Sequence, residues 1–267
     1  MSLRNPFFRK GWGRTWCLCF VGWWSTAVVA QDASSTLLGS ATALESCVQL
    51  TPPGGGTGAC WMPVDHALQS GFHWTGAVVL GTNDTGGEGM VFVLQAAGSG
   101  ALGADGSGLG YAGIGPSFGV VIDTYGTTED VVSWVVNGGL SPMGSSVSIG
   151  NAEDGELHQM SITWRPEDSM LVVNWDGSTI LEQFVSPDVF PTGSQVWWGW
   201  TASGAGASNE HRVCGGVLQS MPLEAPTSVG VACVGDSVVL TAAHSGVVWG
   251  DGSTADTLVV TEAGAYR

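Results

Sequence analysis

Short runs rich in Val, Ile, Trp and Phe recur along the chain between clusters of Gly, Asn, Asp and Ser, and nowhere does a helical period take over. The runs fall at residues 46–50, 72–80, 90–95, 118–124, 131–136, 160–164, 170–175, 195–201 and 212–218. With 42 glycines in 267 residues the punctuation between them is dense. This spacing predicts an antiparallel all-β sandwich. Phe118-Gly-Val-Val-Ile122 and Gly89-Met-Val-Phe-Val-Leu94 are apolar on both faces, so those strands are expected to be covered on each side. His158-Gln-Met-Ser-Ile-Thr-Trp164 alternates, as a half-buried strand does, and Asp176-Gly177 marks a hairpin between two further runs.

The first thirty residues are different. Arg4, Arg9, Lys10 and Arg14 precede an apolar stretch, 16–29, that ends in small residues before Gln31. This pattern reads as a signal peptide over 1–30, too short to span a bilayer as an anchor, and it implies export to the cell surface or medium. Residues 31–267 then carry 3 basic and 23 acidic side chains, a net charge of −20. Nucleic acid is excluded as a partner, because phosphate binding needs clustered Lys and Arg. No membrane insertion is expected after cleavage.

Four cysteines remain in that portion: Cys47, Cys60, Cys214 and Cys233. Cys47 and Cys60 flank a Gly/Pro-rich turn and could close a hairpin, whereas Cys47 with Cys214 would join the first and last strands of a sandwich. No CxxC pair suggests metal binding by cysteine. A Pro-bearing linker is expected at 221–227, after a sandwich at 31–220. Residues 228–267 read as the beginning of a smaller β-domain, which is short for independent folding, so the sequence reads as part of a longer protein with further repeats.

No HExxH, GxSxG or phosphate-type loop is present, and the five histidines show no metal spacing. The distinctive stretches are Gly86-Gly-Glu-Gly-Met-Val-Phe-Val-Leu-Gln95, Gly106-Ser-Gly-Leu-Gly-Tyr-Ala-Gly-Ile114, Pro116-Ser-Phe-Gly-Val-Val-Ile-Asp-Thr-Tyr125, Asn151-Ala-Glu-Asp-Gly-Glu-Leu-His158 with Ser161-Ile-Thr-Trp164, and Val196-Trp-Trp-Gly-Trp-Thr-Ala-Ser203. In this order, over 37–219, they resemble the L-type (legume-like) lectin domain as found in large secreted bacterial proteins. The resemblance implies a concanavalin-like jelly roll, a calcium ion and a shallow glycan site at one end of the curved sheet.

It further implies residue roles. Gly87-Glu88-Gly89 stands where the family has an Ala-Asp-Gly turn, whose acid binds sugar after a cis peptide bond; a cis Gly87–Glu88 bond is therefore expected. The metal-loop positions fall on Asp123, Tyr125 (through its carbonyl), Thr127 and Asp130, an all-oxygen set suited to Ca²⁺. An acid that serves a second metal in plant members is Val121 here. Backbone around Ser107-Gly108 and Ser203-Gly204 matches the remaining glycan-contact positions, with Gly89 in the turn, Thr127 linking metal and sugar, and Tyr125 stacking. Trp198 and Trp200 share one strand face and are expected in the core. Cys233-Val-Gly-Asp-Ser-Val-Val-Leu-Thr241 and Val248-Trp-Gly-Asp-Gly resemble the start of an Ig-like repeat.

Three functions remain open at this level. The first is a non-catalytic glycan-binding module. The second is a structural or adhesin domain with a degenerate sugar site. The third, a glycoside hydrolase, is disfavoured because the alternating acids on one strand are missing and two carboxylates must flank the bond.

Overall fold

The structure is a computed structural model that describes residues 35–63, 71–126, 129–166, 168–191, 194–204, 206, 208–221, 238–241 and 257–260. Its strands, in chain order, are β1 (Thr36–Gly39), β2 (Thr42–Ala43), β3 (Cys47–Thr51), β4 (Thr57–Pro63), β5 (Gly71–Val79), β6 (Gly89–Gln95), β7 (Ser117–Asp123) and β8 (Asp130–Val136). They continue with β9 (Val147–Gly150), β10 (His158–Arg165), β11 (Met170–Trp175), β12 (Ser178–Phe184), β13 (Trp197–Ser203), β14 (His211–Met221), β15 (Val238–Thr241) and β16 (Thr257–Val260). Two seven-stranded antiparallel sheets form the sandwich, ordered β1-β4-β13-β6-β7-β8-β9 and β12-β11-β10-β5-β14-β3-β2. The expected all-β jelly-roll sandwich is what the chain forms.

Period-two alternation fills the space between the sheets. Met90, Phe92 and Leu94 of β6, Phe118, Val120 and Ile122 of β7, and Trp198 and Trp200 of β13 all point into one core. Trp74 of β5 meets Trp200 at a centroid distance of 5.1 Å, and Phe92 lies edge-on to Trp200 at 5.6 Å. Each such side chain contributes roughly 1.5–3 kcal/mol by leaving water. The alternate residues Val91, Val93, Val121 and Val135 face outward, yet they are buried too. The segment between β6 and β7 folds back over them, bringing Leu109, Tyr111 and Ile114 onto that face. Trp61 Nε1 donates to the Ala101 carbonyl at 2.7 Å and fixes this cover. The two strands expected to be apolar on both sides are covered on both sides for this reason.

The Asp176-Gly177 turn joins β11 to β12 with φ of 45° and 81°, the doubly positive geometry of a two-residue hairpin. Cys47 is disulfide-bonded to Cys214, its register partner across β3 and β14. The hairpin alternative is overturned: Cys60 is a free thiol on β4, buried between the sheets. The last strand of the sandwich runs to Met221, one residue into the expected linker. The signal-peptide reading at 1–30 and the remainder of the linker, 222–227, lie outside the described residues. In the distal region an antiparallel pair, β15 with β16, is described.

Candidate functional site

Glu88 ends the connection from β5 to β6. Asn83 sets up that connection, because its carbonyl accepts from Gly86 N at 2.6 Å and its side chain accepts from Thr85 N at 3.3 Å. The Gly87–Glu88 peptide bond is cis, as the resemblance implied. Glu88 N then donates to the Ser203 carbonyl at 2.9 Å, and Thr124 N donates to the Glu88 carbonyl at 3.4 Å. Gly89 has φ of 116°, and a Cβ there would lie 2.1 Å from the Ile122 carbonyl oxygen, so only glycine fits. Gly89 pairs in register with Asp123 on one side and Ser203 on the other. The expected site is therefore one rim, where β13, β6 and β7 meet.

Glu88 as a whole is 8% exposed. Burial first, and the adjacent Asp123 carboxylate second, hold its carboxyl above the usual carboxylate range. Tyr125, 58% exposed, follows Asp123 on the solvent side, and Ser107 is exposed on the short turn Gly106–Gly108. Other expected contact residues hold the rim together from within. Ser203 Oγ accepts from Gly106 N at 2.8 Å, pairs with Thr57 Oγ1 at 2.9 Å and is buried. Gly204 N donates to Gly56 O at 2.8 Å, and Gly108 N donates to Asp105 O at 2.9 Å. These groups fix where the loops lie instead of offering free donors. Thr127 lies outside the described residues.

Asp123 Oδ1 accepts from Tyr125 N at 3.1 Å, closing the loop on itself. Asp130 is buried, and its Oδ2 accepts from Ala152 N at 2.7 Å. Burial pushes the Asp130 carboxyl up; the Ala152 bond opposes this, and Asp84 and Asp123 add to it. Among the described residues no three His, Cys, Asp or Glu side chains form a ready metal-holding group. The donors that are present still fit a hard cation. They are two carboxylates and a backbone carbonyl, in a region of mutually repelling acids, while the described arginines pair elsewhere, Arg165 with Asp168 and Arg212 with Glu210. Val121 packs in the apolar outer cluster.

Two residues were not singled out for the site by the sequence. Glu153 is buried beneath the rim, and burial pushes its carboxyl up to about 7, against a hydrogen bond from Asn209 and with repulsion from Asp130. Asn209 is also buried, and its Nδ2 donates to Glu153 Oε1 at 2.7 Å. The acidic stretch Glu153-Asp154-Gly-Glu156 was visible in the sequence, but nothing local marked its first member as buried.

Comparison with known proteins shows what this fold is similar to. The lectin from Bauhinia forficata, solved in complex with GalNAc, superposes with a TM-score of 0.62 at 15% identity, over 72% of this chain and 94% of that one. Lectin II from Ulex europaeus gives 0.61 at 19% identity, over 72% and 95%. Arcelin-5 from Phaseolus vulgaris, a lectin-like defense protein, gives 0.59 at 18% identity, over 72% and 94%. At these identities the likeness is one of fold. A family model for the legume lectin beta-barrel domain matches residues 30–216, and the chain accordingly belongs to the L-type lectin family.

Proposed function

We propose that this domain binds glycans without transforming them, assisted by calcium, as part of a secreted or cell-surface protein of bacterial type with further repeats beyond the sandwich. The observation that carries the reading is Glu88: an acid on a residue with little exposed surface, fixed through its backbone to two neighbouring segments, at a rim that also exposes Tyr125 and Ser107. Its two oxygens can accept from neighbouring sugar hydroxyls, each charge-assisted bond contributing roughly 1.5–3 kcal/mol before lost hydration is counted. The Tyr125 ring offers a face to the C–H side of a sugar. Family membership and the GalNAc complex of the Bauhinia lectin support the same class of ligand.

Asp123, Asp130 and the Tyr125 carbonyl would hold the calcium ion, with Thr127 as a further donor. Bound there, the ion supplies positive charge that lets adjacent carboxylates remain ionised and stiffens the loop carrying Tyr125. A printed glycan array probed with calcium and again with EGTA tests the proposal. Calcium-dependent binding to a defined set of glycans is expected. A folded protein that binds none would favour the structural-domain reading, and hydrolysis of a printed glycan would overturn the non-catalytic one.

A further inference from the structure

The Asn209 side chain uses its full hydrogen-bonding capacity. Oδ1 accepts from Thr82 N and from Glu210 N, both at 3.2 Å. Nδ2 donates to the Asn83 carbonyl at 3.3 Å and to Glu153 Oε1 at 2.7 Å. Three separate segments therefore meet on one amide: the connection carrying Glu88, the approach to β10, and the approach to β14. The connection is shaped around it. A Cβ on Gly81, where φ is 83°, would lie 1.7 Å from Asn209 Oδ1, and one on Gly86 would lie 3.0 Å from Nδ2. The backbone of the residue is also anchored, since the Asn209 carbonyl accepts from Thr51 Oγ1 at 2.9 Å and Thr51 ends β3, the strand beside β14.

We infer that Asn209 is a positioning residue for Glu88: it touches no ligand, but it ties the 82–86 turn to Glu153 and to the end of β3 and so sets where the rim carboxylate stands. The inference rests on the glycan-binding reading for its consequence, though not for its geometry. An amide is the group required. A carboxylate at this position would keep the two acceptor bonds, lose both donors and confront Glu153 with like charge. A glutamine at 153 would keep the acceptor that Asn209 uses.

The test compares Asn209→Asp and Glu153→Gln in the full chain. Amide hydrogen exchange is followed at residues 82–88 and, as a reference, at 91–93 in β6. Apparent affinity for printed glycans is measured well below each variant's unfolding temperature. Asn209→Asp is expected to speed exchange at 82–88 by about tenfold or more, leave 91–93 unchanged and weaken glycan binding by about tenfold or more. Glu153→Gln should leave both near wild type. Should Asn209→Asp fail to accumulate, Asn209→Ser, which keeps an acceptor and loses the amide donors, carries the same expectation. A lower unfolding temperature with unchanged affinity per folded molecule would make Asn209 merely structural and overturn the inference, as would unchanged exchange at 82–88. If the wild type binds no printed glycan, the functional reading fails while the exchange arm still decides the geometry.

Discussion

Glu88 and Asp123 lie close together at one rim, because Glu88 immediately precedes β6 and Gly89, the first residue of β6, is the register partner of Asp123 on β7. Their proximity is also electrostatic, since Asp123 adds to burial in raising the Glu88 carboxyl. The pairing joins the Gly87-Glu88-Gly89 turn and the start of the Asp123–Tyr125 loop in one rim, with the Glu88 carbonyl accepting from Thr124 N between them.

Glu88→Gln follows from that arrangement. The substitution keeps size and one acceptor oxygen but removes the charge. Binding to printed glycans is expected to weaken by at least about tenfold, the loss of one charge-assisted hydrogen bond. Stability should hold within about 1 kcal/mol or rise, because a buried charge beside Asp123 has been removed. Urea unfolding measured beside the array separates the two effects. Undiminished binding would remove Glu88 from the site.

Calcium makes a second prediction. Asp130→Asn keeps an oxygen that can accept from Ala152 N, so the fold should survive, while one of the two carboxylates that would hold the ion is lost. Wild-type protein should retain ⁴⁵Ca²⁺ in equilibrium dialysis, and Asp130→Asn should retain much less. With free calcium about 100-fold above the dissociation constant, the wild type should gain about 2.7 kcal/mol of stability. Equal retention by both proteins would place the ion elsewhere.

The disulfide gives a third. Cys47 and Cys214 are separated by 167 residues, so their bond restricts almost the whole sandwich in the unfolded chain. Replacing both by Ser should cost about 2–5 kcal/mol, read from urea unfolding. Cys60 is buried and its thiol is pushed up to about 11, so iodoacetamide should label it only after denaturation. A peptide map showing Cys60 alkylated in the native protein would contradict this placement.

Much of this was legible because it is written locally. Alternation set the inward Trp198 and Trp200, Asp176-Gly177 announced its hairpin, and the Gly87-Glu88-Gly89 turn could be read from the ordered set of five stretches that resembles the family. Other features depend on contacts between distant segments. Cysteine pairing followed the adjacency of β3 and β14 in their sheet, so a short spacing such as that between Cys47 and Cys60 did not decide it. Ser203, Gly204 and Gly108 looked like contact positions; neighbouring loops engage the Ser203 hydroxyl and the Gly204 amide, and the Gly108 amide bonds within its own turn. Glu153 lies in the distinctive 151–158 stretch but nothing there marks it as buried, Asn209 lies 56 residues away in none of the quoted stretches, and only the folded rim brings one onto the other.

The last prediction concerns acid and base. His211 is fully buried, its Nδ1 lies 2.7 Å from Thr51 Oγ1, and burial pushes it down to about 4 from 6.5. Its folded pKa is depressed, so its stabilising effect is complete above about pH 6.5 and is lost as pH falls through about 4. Glu153 has the opposite sign. Raised from 4.5 to about 7, it favours the folded state fully below about pH 4.5, and that contribution is lost as pH rises through about 7. Glu88 and Asp130, also raised, act in the Glu153 direction. The two opposed slopes overlap between about pH 4.5 and 6.5, each reaching at most about 1.4 kcal/mol per pH unit. His211 offsets part of the decline that Glu153, Glu88 and Asp130 impose, so urea midpoints from pH 4 to 8 should fall only gently as pH rises across that window in the wild type. Relative to the wild type, His211→Gln should gain stability toward acid over the window, and Glu153→Gln toward neutrality. Parallel curves for wild type and His211→Gln would show that His211 titrates alike in the folded and unfolded chains.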